Sequence, residues 1–214
     1  MTVAGIGAPA RDTYRHGDLR RALIDAGIAL ARVGGPDAVV LREATRRAGV
    51  VPNAAYRHFA SRQALLQAVR AAALAALAVA MESELARLRP RRRRADFARA
   101  RLREAEIAGA DRAQAETGLF RTAFAAPDDV PGAADPDKAG ASGLDPFQLL
   151  GAALDGLVEA GVLPRARRPG AEYLAWSAVH GLAMLVIDGP LRRLSRAQTE
   201  TIGARLLDMV EKGL

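Results

Sequence analysis

The sequence predicts an all-α protein, and three observations carry that prediction. No stretch sustains an apolar–polar alternation at a period of two, and β-branched runs are short. Apolar residues instead recur at three- and four-residue spacing along most of the chain. Gly and Pro clusters then punctuate these periodic segments, dividing them into about nine helices.

The first helix is expected over 18–33, with Asp18 placed to cap or complement its N-terminus. Its apolar stripe is Leu19, Leu23, Ala26, Ile28 and Leu30, and Gly34-Gly35-Pro36 stops it. A short second helix spans 41–48, and Gly49 can take the left-handed conformation that ends it. Pro52 suits the first turn of a third helix, 52–59. Ser61 opens a long fourth helix through Leu65, Val69, Ala73, Leu77, Met81, Leu85 and Leu88. Pro90, within the basic run 89–94, discourages its continuation. Two helices are expected at 96–109 and 112–124, followed by a mobile loop at 125–143 that is rich in Pro, Gly and Asp. The next helix places Phe147, Leu150, Leu154 and Leu157 on one face. Another aligns Tyr173, Trp176, His180, Met184 and Ile187, and a last one from about Arg196 aligns Ile202, Leu206 and Met209.

Composition narrows the class of protein. The 214 residues suffice for one domain or two, with a real core in either case. The absence of cysteine excludes structural disulfides and Cys-ligated metal sites. The three His residues have no ligand partners at metal-binding spacing, so neither a metal nor a cofactor is expected. The N-terminal segment lacks the apolar core of a signal peptide. The longest apolar-looking segment, 174–187, is interrupted by Ser177, His180 and Gly181 and is too short to span a bilayer. A cytoplasmic protein without a membrane partner is the expectation. The net charge is +7, and residues 1–62 hold ten Arg against five Asp or Glu, so +5 of it lies in the first third. A polyanion-binding N-terminal unit would have that distribution.

The stretch LREATRRAGVVPNAAYRHF joins two short helices through a turn containing Gly49, the layout of a helix-turn-helix. Ala44, Ala48, Val50 and Ala55 are small or apolar and let the two helices cross closely, while Phe59 anchors the far end. Asn53, Ala54, Tyr56, Arg57 and His58 remain for the outer face. Asn pairs bidentately with adenine and an Ala methyl meets a thymine methyl. Tyr and His suit phosphate oxygens.

The segment VVLREATRRAGVVPNAAYRHFASRQALL resembles the DNA-binding segment of the TetR family of transcriptional regulators. YRHGDLRRALIDAGIAL resembles the first helix of one branch of that family, and WSAVHGLAMLVIDG resembles a C-terminal ligand-binding and dimerisation domain with a Trp…His-Gly motif. The resemblance implies a DNA-binding domain over 1–62, with a flexible arm at 1–15, and an effector-binding and dimerisation domain over 63–214. It implies Arg42, Asn53 and Ala54 near base edges, with Tyr56, His58 and Arg62 on phosphates. It also implies a homodimer through the last two helices and a small-molecule pocket whose occupation releases a palindromic operator, the behaviour of a repressor. Phe120, Phe124, Phe147, Trp176 and His180 are the pocket candidates, and they suit an apolar or aromatic effector. Val40 and Val51 depart from the pattern, since relatives often carry Ser or Thr there as helix caps.

Blander readings stand beside these. His180 could be a hydrogen-bonded core residue, aromatics at helical spacing pack cores before they line pockets, and the 89–94 run could be a solvated connection. An all-helical enzyme, or a ligand-binding protein without specific DNA binding, is the competing class. No nucleophile–base set, metal motif or phosphate-cradling loop supports catalysis, and no catalytic residue is expected.

Overall fold

The computed structural model describes residues 16–125 and 135–213. Nine α-helices and three short 3-10 turns make up its regular structure, with no strand among the described residues. The expected arm at 1–15, the capping side chain of Asp18 and positions 126–134 of the expected loop lie outside the described residues.

Helices α1 (His16–Gly34), α2 (Leu41–Arg47) and α3 (Pro52–Tyr56) pack with the first half of α4 (Arg62–Arg87). Leu19, Leu23, Ile24, Leu30 and Ala31 of α1 share one core with Val39, Leu41, Ala44, Ala55, Phe59, Leu65 and Val69. The turn after α2 closes as the sequence demands. Gly49 sits at φ 68°, and the N–H of Val50 reaches back to the Thr45 carbonyl at 3.0 Å. That is a glycine-terminated helix end, and a side chain at 49 would be strained there. Helix α3 stops at Tyr56 rather than at 59, although the Phe59 N–H still reaches the Ala55 carbonyl at 2.9 Å. Ser61 caps α4 by accepting from the Ala64 N–H at 3.1 Å.

Helix α4 is shared between two cores. Its second half places Leu77, Ala78 and Met81 against Ala105 and Leu149. Helix α4 has 26 residues, and an 18-residue stretch within it with a mean hydropathy of 1.9 is long and apolar enough to cross a membrane. Its buried leucines in two separate cores account for that composition as a central core helix.

The two helices expected at 96–109 and 112–124 are instead one long α5 (Arg94–Ala115) and a short α6 (Thr117–Phe124). A single Gly inside a helix costs only about 1 kcal/mol relative to Ala, and packing of α5 carries the helix through Gly109. The break falls at Glu116, whose carboxylate meets Arg112 and, from α1, Arg32, each at 2.9 Å.

Positions 135–143 of the segment expected as a loop are described, and they make specific contacts. Asp135 caps a 3-10 turn at Pro136–Lys138. Glu82 on α4 then accepts the Ala141 N–H at 2.8 Å, the Ser142 N–H at 2.9 Å and the Ser142 hydroxyl at 2.6 Å. Burial alone would raise the Glu82 pKa, but these donors outweigh it and hold the carboxyl below its usual range. The segment is therefore pinned to α4.

Helix α7 (Pro146–Glu159) begins with a capping box between Asp145 and Gln148. Helices α8 (Ala171–Ile187) and α9 (Arg196–Gly213) complete the fold. Leu102 of α5, Leu150, Leu154 and Leu157 of α7, Ala175 of α8 and Val210 of α9 form the remaining large core.

Candidate functional site

Helix α3 is held by its inner face. Ala55 is fully buried, Phe59 is nearly so, and the Arg20 guanidinium lies over the Phe59 ring at 5.6 Å from its centre. The outer side chains are thereby oriented. Asn53, Tyr56 and Arg57 are exposed, as is Arg42 at the start of α2. Ala54 and His58 are half-buried, and Ala54 also packs against the first core. Arg62 has a second task. Its Nε donates to the Val39 carbonyl at 2.9 Å and its Nη2 to the Pro36 carbonyl at 2.7 Å, tying the start of α4 to the connection before α2.

Val40 and Val51 occupy the N-cap positions of α2 and α3 in extended conformation, with no side-chain cap bond. Both helices therefore begin without the hydroxyl that usually satisfies their first N–H groups. Glu43 and Arg46 form a two-pronged pair on α2 at 2.9 and 2.6 Å, which keeps that arginine on the helix surface.

The larger helical body holds a small cavity bounded by α4, α5, α6, α7 and α8, of about 50 Å³ and partly open to solvent, so a ligand larger than a few atoms must displace lining side chains to enter. Leu77, Met81, Phe120, Phe124, Leu150, Trp176 and His180 line it. The His180 ring lies 4.8 Å from that of Phe124 and 5.6 Å from that of Phe120, centre to centre. Burial lowers the His180 pKa, so its imidazole is neutral at pH 7. Phe147, expected among the lining residues, is not one of them. Its ring stands behind Trp176 at 5.6 Å and beside Tyr173 at 5.5 Å, because Phe147 opens α7 on the side that faces α8.

Glu106, a carboxylate that no partner arrangement in the sequence recommends, also lines the cavity. It is 5% exposed, and its buried Oε1 has no hydrogen-bond partner. Burial pushes its pKa up to about 8, with Arg103 lowering it and Glu211 raising it. A signal was present in the sequence. Leu102, Glu106, Gly109 and Ala113 fall at four-, three- and four-residue steps, so the acid lies on an otherwise apolar or small stripe.

Helix α6 touches both regions. Phe120 and Phe124 face the cavity, whereas Leu119 and Ala123 belong to the core of the first helices. Gly118 abuts the end of α1 so closely that a Cβ there would stand 2.3 Å from the Ala31 carbonyl oxygen. Buried Arg70 of α4 donates to the Ala123 carbonyl at 2.7 Å, and Arg121 pairs with Asp188 at the end of α8.

A short helix pinned from within, presenting polar side chains outward after a glycine turn, defines a helix-turn-helix DNA-binding protein, here joined to a larger helical body with an apolar cavity. Residues 23–69 match the model for bacterial regulatory proteins of the tetR family, and residues 102–210 match that for the tetracyclin repressor-like C-terminal domain. The chain belongs to the TetR family and is a DNA-binding transcriptional regulator. No curated protein matches it.

Solved structures share the fold. A protein of unknown function from Rhodococcus sp. RHA1 is 24% identical with a TM-score of 0.72, over 96% of this chain and 99% of that one. A single-site variant of TetR from Acinetobacter baumannii AYE, in complex with minocycline, is 19% identical with a TM-score of 0.60, over 89% and 93%. A protein from Mesorhizobium loti MAFF303099 assigned to the TetR-family regulators is 15% identical with a TM-score of 0.58, over 92% and 96%.

Proposed function

We propose that the protein is a homodimeric repressor that binds a palindromic operator and is released by a small molecule in the α4–α8 cavity. In this reading residues 1–62 bind DNA and 63–214 sense the effector and dimerise, and the protein works in the cytoplasm. The observation that carries it is the exposed Asn53, Tyr56 and Arg57 on a helix whose other face is locked into the core. Arg42, Asn53 and Ala54 then read base edges, while Tyr56 and His58 set the register on phosphates. Arg62 contributes chiefly by fixing the angle of the motif, with phosphate contact as its second role.

The dimer is proposed through α8 and α9. Leu174 and Leu185 lie three turns apart on one face of α8, Ile202 and Met209 share a face of α9, and all four are exposed. Large apolar side chains left open on two neighbouring helices suit a self-complementary four-helix contact.

Release is proposed to run through α6. A ligand that displaces Phe120 or Phe124 must move α6, and Gly118 leaves no slack against α1, so the DNA-binding helices move with it. The minocycline complex of the A. baumannii relative supports the idea that a body of this fold holds a small molecule.

The test is a pair of binding titrations, effector on the free protein and effector on the operator complex. Coupling requires the effector's affinity to fall on the complex by the same factor by which it weakens DNA binding. Equal effector affinity for both forms would refute release by this route.

A further inference from the structure

We propose that the effector is a lipophilic organic cation, held with its positive charge against the Glu106 carboxylate and its apolar body among Leu77, Phe120, Phe124 and Trp176. This rests on the reading of the cavity as the effector site and narrows that reading to a class of ligand.

Glu106 is a polar group that the fold itself does not use. Its Oε1 is buried without a partner in a wall that is otherwise almost wholly apolar. Native interiors rarely leave such a group unsatisfied, and the exceptions call for a ligand or a function. The nearest internal cation is unable to serve it. Arg103, one turn earlier on α5, gives Nε and Nη2 to Glu211 at 3.3 and 2.9 Å and pairs with Asp208 as well. The carboxyl is thus left for something that enters from outside.

The surroundings select the sign of that visitor. Phe120, Phe124 and Trp176 present aromatic rings, whose faces attract cations, beside a carboxylate. His180 faces the same space from α8, and burial there disfavours its positively charged form. Arg103 and, on α9, Glu211 are the charged groups that act on Glu106; Glu211 is itself paired with Arg99 and Arg103, and Glu200 of α9, paired with Arg196, shares a neighbouring cleft with Glu106. Helices α4, α6 and α7 contribute only apolar side chains to the lining.

In the empty cavity Glu106 retains its proton up to a pH of about 8. A cation that pairs with it must therefore release that proton to solvent, and its affinity must rise with pH until the carboxyl is already ionised.

The test uses benzyltrimethylammonium and its uncharged carbon isostere neopentylbenzene. Trp176 is the sole tryptophan, so its emission reports occupancy. The charge of the ammonium is independent of pH, so any slope belongs to the protein. The cation should bind about tenfold tighter per unit from pH 6 to 7.5 and level off above about 8, while the isostere stays flat. Glu106→Gln should remove the slope and weaken the cation at least about tenfold at pH 8.5 with the isostere unchanged. The wild-type slope needs no variant, so a misfolded Glu106→Gln chain would leave the test intact. Isostere binding at least as tight as the cation at pH 8.5, or a slope that survives Glu106→Gln, would overturn the cation and leave the cavity reading standing. No change in Trp176 emission with either probe would remove both.

Discussion

Replacing Glu106 with Gln should stabilise the protein, and by more as the pH rises. The unfolded chain gives up this proton near 4.5, whereas the folded chain retains it to about 8. Between those values the folded state binds more protons than the unfolded state, so the wild type loses stability with increasing pH. Below 4.5 both states are protonated and the penalty vanishes; above 8 it is complete. Each unit of difference is worth about 1.4 kcal/mol, giving about 3 kcal/mol by pH 7 and approaching about 5 kcal/mol above pH 8. Gln keeps the size and hydrogen-bonding capacity of the protonated acid without this cost. For a chain of this length, about 3 kcal/mol corresponds to a rise in Tm of roughly 6–12 °C at pH 7. Thermal melts of both proteins at pH 5, 7 and 8.5 would measure it. A gap that stays constant with pH, or one that narrows as pH rises, would refute the burial of an unpaired carboxyl at 106.

Three further perturbations probe other parts of the account. Gly118→Ala places a methyl 2.3 Å from the Ala31 carbonyl oxygen and 2.7 Å from that of Arg32, both backbone atoms. It should cost about 1–3 kcal/mol and weaken operator binding, and an unchanged Tm with unchanged affinity would show that α6 does not press on α1. Val51→Ser supplies the missing cap of α3, and because the Val51 side chain is 68% exposed it loses little packing. A gain of about 0.5–2 kcal/mol in helix stability should appear as tighter operator binding by fluorescence anisotropy; equal or weaker binding would count against it. Leu174→Asp combined with Met209→Asp should give monomers in sedimentation velocity while circular dichroism stays helical. A persistent dimer would place the interface elsewhere.

Much of the DNA-binding unit was legible in the sequence because its punctuation is local. Gly34-Gly35-Pro36, Gly49 and Pro52 act through the backbone of their own turns, and Ser61 through a hydroxyl that caps its own helix, so the helix limits follow them within a few residues. The larger body was less legible because its limits depend on distant partners. Gly109 reads as a break, yet packing carries α5 past it to Glu116, where ion pairs from Arg112 and Arg32 hold the corner. The Pro- and Gly-rich segment reads as loose, but its anchor is Glu82, some sixty residues earlier, bonded mainly to backbone N–H groups that no side-chain pattern reveals. Four of the five aromatic and histidine candidates line one cavity, and Phe147 does not, because a stripe along α7 does not say which neighbour its first turn meets. No partner arrangement in the sequence recommends Glu106, and the same want of a partner is what makes it informative in three dimensions.

The most direct measurement is selection of binding sites from a random double-stranded DNA library by the purified protein. A dimeric repressor of this kind should enrich a two-fold symmetric sequence whose half-sites lie about one helical turn, roughly 34–36 Å, apart, and Asn53→Ala should lose base preference at one position of each half-site. Enrichment of no sequence, or of an asymmetric one that Asn53→Ala reads equally well, would contradict it.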